Sequence, residues 1–278
     1  MSYSAEISRA NPSCFLFMID QSGSMADPFP ADPGKRKADG VADAINRLLQ
    51  NLVIKCAKAE GVRDYYYVGV IGYGEKVGPA FGGALAGKEM APISQVADNP
   101  VRIEERTKKV DDGAGGLVEQ KVKFPIWFDP VANKGTPMRD AFTQANTILT
   151  KFIADHPHCF PPVVIHISDG ESTDGDPTEA MRLVTHLSSD DGNVLLFNLH
   201  ISDKMSQPVP FPISAEGLPD QYAQLLFNTA SELTPFMQNV AKEQGFSIQP
   251  GSKGFVFNGD LTLVIQALDI GTRPSNLR

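Results

Sequence analysis

What this sequence lacks narrows it first. No apolar run approaches the ~18 residues needed to span a bilayer, so no membrane helix is expected. Met1 to Asn11 is polar, carries Glu6 and Arg9 and has no apolar export core, which leads to the expectation of a cytoplasmic protein. Cysteine is scarce. Cys14, Cys56 and Cys159 are odd in number, far apart and set among apolar neighbours, so they read as reduced core thiols instead of a disulfide frame. Positive charge is in deficit: 25 Lys and Arg against 33 Asp and Glu leave a net charge of −8, without the basic face of a phosphate-backbone binder, so no nucleic acid partner is expected. The Gly82-Gly83 and Gly113 to Gly116 stretches lack the Lys-Ser/Thr of a phosphate loop and read as turns. His156-Pro157-His158-Cys159 has no second Cys/His pair to complete a zinc site and reads as a loop.

What is present is ample apolar residue in the right pattern. With 278 residues, 42% of them hydrophobic, the chain can bury a full core, and a single domain over 1–278 is expected. Cys14 to Ile19 is an unbroken apolar run ending at Asp20, the signature of a strand buried on both faces. Lys35 to Glu60 has helical spacing, with Val41, Ile45, Leu48, Leu49, Leu52 and Ile54 apolar. Strands are expected at Tyr65 to Tyr73, Lys76 to Phe81, Pro162 to Ser168, Val194 to Ile201 and Gly254 to Phe257. Helices are expected over about Pro137 to Ala154, from a cap at Asp176 or Thr178 to about Leu187, and over Pro219 to Glu243 and Leu261 to Leu268, and a loop over Gly82 to Asp98. Val101 to Val110 and Leu117 to Phe128 alternate around a Gly-rich tip, which predicts a projecting β-hairpin, an insertion at about 99–129. A helical extension is expected at about 213–278.

Strands alternating with helices imply an α/β fold, doubly wound, with a mainly parallel sheet covered by helices on both faces. In such sheets ligands bind at the carboxyl ends of strands, near the point where strand order reverses. The first buried strand ends in Asp20 and another ends at Asp169, so both deliver a carboxylate to that edge.

Directly after the first strand stands Asp20-Gln21-Ser22-Gly23-Ser24-Met25, with oxygen-bearing side chains at alternate positions of a tight turn and Gly23 easing the turn. Later come Lys134-Gly135-Thr136-Pro137, before a helix, and Ile167-Ser168-Asp169-Gly170-Glu171, at a strand end. The three segments together resemble the metal-ion-dependent adhesion site of von Willebrand factor A (VWA) domains, an Asp-x-Ser-x-Ser turn completed by a threonine and an aspartate from later loops. The resemblance covers about Ser13 to Ile201 and implies a VWA, Rossmann-like fold of the stand-alone prokaryotic type.

By that resemblance Ser22, Ser24 and Thr136 would touch a metal through their hydroxyls, and Asp20 and Asp169 directly or through water. All-oxygen donors suit Mg²⁺, with Mn²⁺ or Ca²⁺ possible. The implied function is not enzymatic: the ion would take a Glu or Asp from a protein partner. Stand-alone members of the family often work beside a MoxR-type AAA+ ATPase, or a kinase with a PP2C-type phosphatase, in stress, signalling or defence assemblies. The alternative is a metal-assisted phosphohydrolase. Against it, no second aspartate follows Asp20 by two residues and no Gly-x-Ser-x-Gly elbow occurs. His166 reads as a packed core histidine; Lys35, Arg36 and Lys37 as a solvated helix start; and Glu171, Asp174 and Asp176 as a solvated acidic loop. The hairpin tip at Asp111 to Gly116 and the loop at Gln207 to Pro212 are expected to tune partner choice.

Overall fold

The computed structural model describes residues 3–29, 32–111, 117–201 and 207–273. β1 (Ser13–Asp20) is buried at every position, as its continuous apolarity requires. The strand period of two divides it between two cores. Phe15, Phe17 and Ile19 face one core with α1 (Lys37–Cys56); Cys14, Leu16 and Met18 face the other. All three cysteines are free and buried. In α1, Val41, Ile45, Leu48, Leu49 and Leu52 form the buried stripe, whereas Ile54 lies off it and is 63% exposed. The helix is shorter at both ends than its spacing predicts, since a short strand, Asp32–Arg36, runs up to its start and a small antiparallel pair, Ala57–Lys58 with Gly61–Val62, follows its end.

β2 (Tyr66–Tyr73) pairs parallel with β1, and its outer edge carries two short antiparallel strands, β3 (Val77–Pro79) and β4 (Ala91–Pro92). The segment expected as a loop holds β4 and a one-and-a-half-turn helix, α2 (Ile93–Asp98), too short to show a period in sequence. The hairpin forms as expected from β5 (Arg102–Asp111) and β6 (Leu117–Ile126). It does not stand clear of the body: Arg106 pairs with Asp43 of α1 at 2.9 Å, and Gln50 Nε2 donates to the Lys123 carbonyl. Its tip, residues 112–116, lies outside the described residues.

α3 (Met138–Asp155), β7 (Val163–Ser168), α4 (Thr178–His186) and β8 (Leu195–Ile201) follow in βαβ order. β9 (Val209–Pro210) is a correction: the loop expected at Gln207 to Pro212 pairs antiparallel with the last strand. The helix expected over 219–243 is two, α5 (Gln221–Thr229) and α6 (Pro235–Glu243), because Thr234 caps the second with its side chain and Pro235 starts it. β10 (Phe255–Gly259), the strand expected at Gly254 to Phe257, lies parallel to β8 and precedes α7 (Leu261–Thr272), so the C-terminal extension carries a strand of the main sheet among its helices.

The sheet order is β9-β10-β8-β7-β1-β2-β3, with the five inner strands parallel. α1, α2, α6 and α7 cover one face, and α3, α4 and α5 the other. This is a doubly wound α/β fold with antiparallel edges. The chain moves outward from β1 to β2, then crosses back to β7 on the other side of β1, which puts the switch point between β1 and β7.

Candidate functional site

At that switch point the carboxyl ends of β1 and β7 meet, and Ser168 Oγ donates to Asp20 Oδ2 at 2.8 Å across the pair. Asp20 turns the chain on itself, its Oδ1 accepting the Ser22 amide at 2.8 Å. A 3₁₀ turn, Gly23–Ala26, follows and directs both serines to one place: Ser22 Oγ lies 3.0 Å from Ser24 Oγ. Ser24 Oγ then donates to Asp169 Oδ1 at 2.7 Å. Asp20 and Ser22 are buried, while Ser24 stands at the exposed mouth.

Close backbone packing holds this turn. The Gln21 amide donates to the Tyr73 carbonyl at 2.7 Å, the Asn133 amide to the Gln21 carbonyl at 2.6 Å and the Gly23 amide to the Lys134 carbonyl at 2.9 Å. Lys134 adopts a left-handed conformation, φ 62°, uncommon for a residue with a Cβ. Gly74 admits the approach: a Cβ there would fall 2.6 Å from the Gln21 carbonyl oxygen and 2.9 Å from that of Asn133. Thr136 is buried and is stitched to the aspartate loop, its amide donating to Thr173 Oγ1 at 2.8 Å and its carbonyl accepting the Thr173 amide at 2.9 Å. Four of the five expected residues thus form one hydrogen-bonded series, Asp20 to Ser22 to Ser24 to Asp169, whereas Thr136 is tied by its backbone to Thr173.

Lys37 requires a correction. Together with Lys35 and Arg36 it reads as solvated, yet its ammonium is buried and pairs with Asp169 Oδ2 at 2.9 Å, with side-chain exposures of 2% and 0%. Lys35 and Arg36 behave more as expected, pairing with Asp43 and Asp39 at the helix start. Within the solvated acidic loop, Asp174 has a role that the sequence does not announce. It accepts the amides of Arg139 and Asp140 at 3.0 and 2.8 Å, closing the open N-terminus of α3. Burial opposes its charge, but these bonds and that from Ser172 outweigh it and hold its carboxyl below the usual range.

Behind the site, Tyr73 OH lies 2.6 Å from His166 Nε2, and His166 Nδ1 lies 3.0 Å from Asn198 Oδ1, so the histidine is a satisfied core residue, as expected. Burial pushes its pKa down to about 4. Burial also pushes Asp20 up to about 6; the bonds from Ser22 and Ser168 oppose that rise and Asp169 adds to it. Tyr222, whose hydroxyl donates to Ser168 Oγ at 3.3 Å, roofs the strand ends.

Among the described residues no three His, Cys, Asp or Glu side chains gather as a metal-binding group. The cluster instead offers carboxylate and hydroxyl oxygens, the donors that Mg²⁺ and Mn²⁺ accept. Their spacing is compatible too: ligands ~2.1 Å from Mg²⁺ in an octahedron lie about 3 Å apart along its edges, and the Ser22–Ser24 and Ser24–Asp169 contacts are 3.0 and 2.7 Å.

No protein-family model and no curated protein matches the sequence. Solved structures do. The vWF domain of the type V pili tip protein Mfa5 from Porphyromonas gingivalis is similar at 16% identity and a TM-score of 0.32, over 58% of this chain and 39% of that one. The pilus adhesin SpaC from Lactobacillus rhamnosus GG is similar at 12% identity and a TM-score of 0.43, over 82% of this chain and 28% of that one. The chain therefore spans well under half the length of either. No described helix is long and apolar enough to cross a membrane.

Proposed function

We propose that this protein is a non-enzymatic binding module that holds one hard divalent cation, Mg²⁺ by preference, at the β1/β7 switch point and offers it to a carboxylate of a protein partner. The reading rests on one observation above all: the hydroxyls of Ser22 and Ser24 and the Asp169 carboxylate form a contiguous oxygen array at ligand spacing, anchored by buried Asp20. Ser22, Ser24, Thr136, Asp20 and Asp169 would hold the ion. A bound dication supplies Lewis acidity, and neutral hydroxyls among its donors quench less of it than further carboxylates would. The protein's own part is to orient these oxygens through the 3₁₀ turn and the backbone bonds to Tyr73 and Lys134, and to leave the mouth open at Ser24.

The partner class consistent with this chemistry is a protein presenting Glu or Asp, such as a MoxR-type AAA+ ATPase or a member of a kinase and PP2C-type phosphatase pair, in a cytoplasmic assembly. Calorimetric titration of Mg²⁺, with capture of lysate proteins in Mg²⁺ or in EDTA, tests the reading. Wild type is expected to bind Mg²⁺ and to retain a partner only when Mg²⁺ is present. Asp169→Ala and Ser22→Ala are expected to lose both while staying folded. Phosphoester turnover abolished by Asp20→Ala would replace the reading with that of a phosphohydrolase.

A further inference from the structure

Among the described residues, Lys37 and Asp20 are the charged residues wholly removed from solvent, and the Asp169 side chain is equally hidden. A buried charge is costly unless it is paired, and here the one cation pairs with Asp169 while Asp169 and Asp20 repel each other, so the cluster alone carries a net negative charge. The Lys37 ammonium also takes one defined oxygen: Asp169 Oδ2 is occupied, and Oδ1 is the atom turned to Ser24. The backbone fixes this arrangement, because Lys37 opens α1 and its amide donates to the Asp27 carbonyl at 2.9 Å, at the end of the same loop that carries both serines. Adding a dication changes the sign of the cluster. Two carboxylates would neutralise the ion, and the lysine would then leave the loaded site with a net positive charge.

We propose that Lys37 is a positioning residue that sets the charge and the ligand preference of this site: it holds Asp169 to one free oxygen, fills the cation's place in the electrostatics when no ion is bound, and makes the loaded site prefer an anionic donor, a carboxylate, over a neutral one. The inference rests on the metal-binding reading above. It has a signature that a purely structural lysine would not give, since removing its charge should tighten ion binding and not weaken it.

The test is Mn²⁺ binding to the full chain, followed by the paramagnetic resonance of the free ion, for wild type, Lys37→Met and Lys37→Arg. A unit positive charge acting across one carboxylate weakens dication binding on the order of 10-fold even at a water-like dielectric. Lys37→Met is therefore expected to bind Mn²⁺ about 10-fold more tightly or better, with Lys37→Arg close to wild type. Acetate titrated into the Mn²⁺-loaded proteins is expected to bind wild type more tightly than Lys37→Met. Equal or weaker Mn²⁺ binding by Lys37→Met overturns the proposal while leaving the metal site standing; no Mn²⁺ binding by any of the three overturns the metal reading, and this inference with it. If Lys37→Met is too unstable without ion, thermal unfolding decides: Mn²⁺ is expected to raise its Tm by more than it raises that of wild type, and an equal or smaller rise overturns the proposal.

Discussion

Ser168 Oγ and Asp20 Oδ2 lie 2.8 Å apart and join the carboxyl ends of the two strands that flank the switch point. The bond couples fold to site, because the residue that ends β7 holds the carboxylate that ends β1. Ser168→Ala leaves that buried oxygen without its donor and is expected to cost about 1–3 kcal/mol, the penalty for an unsatisfied buried polar group. Urea unfolding measures the cost. A difference near zero would mean that the strand ends are held by backbone pairing alone.

Gly74 supplies a steric test of how the turn is held. An alanine methyl there would press on the Gln21 and Asn133 carbonyls, both backbone atoms that cannot swing away, whereas at Gly78 a methyl meets nothing within 4 Å. Gly74→Ala is expected to destabilise the fold by ~1–3 kcal/mol and to weaken Mg²⁺ binding, with Gly78→Ala near wild type in both. Chemical unfolding and calorimetry of the two variants give the comparison; equal behaviour would contradict the close approach.

The buried histidine predicts a pH dependence. Its folded pKa is about 4, below the ordinary value of 6.5, so between these values the unfolded chain binds a proton that the folded one does not. Stability contributed by neutral His166 is thus complete above pH 6.5 and lost as pH falls toward 4, by up to ~3 kcal/mol. His166→Gln is expected to flatten this part of the profile. An unchanged slope in the variant would assign the acid sensitivity to other groups.

Asp174 gives a further expectation. Asp174→Ala frees the Arg139 and Asp140 amides at the start of α3 and is expected to cost about 1 kcal/mol, the usual value of a helix cap. The α3 capping turn adjoins the Thr173–Thr136 contacts, so faster amide exchange at Thr136 and Thr173 should accompany the loss; protected amides there would refute the coupling.

Much of this fold was legible because hydrophobic periodicity is a local property. Cys14 to Ile19 announces a strand buried on both faces, and Val41, Ile45, Leu48 and Leu52 announce a helix, without reference to the rest of the chain. The oxygen cluster was legible for a related reason: Asp20 and Asp169 end or follow apolar runs, and strand ends in such sheets share one edge. Lys37 was not legible, since its partner stands 132 residues away and its neighbours Lys35 and Arg36 make an ordinary solvated start to a helix. Its burial depends on which way the first residue of α1 points, which no local pattern encodes. Asp174 was hidden likewise, as an acidic residue in a polar loop whose partners, the first amides of α3, lie more than thirty positions earlier. The break between α5 and α6 was readable in Thr234-Pro235, a cap followed by a first-turn proline.

The most direct measurement is a crystal grown in Mn²⁺ and recorded at the manganese absorption edge. The account requires one anomalous peak within bonding distance of the Ser22, Ser24 and Asp169 oxygens, with at least one further position on the ion facing solvent or a neighbouring carboxylate. Density showing Ser24 still bonded to Asp169 in saturating Mn²⁺, with no peak between them, would contradict it.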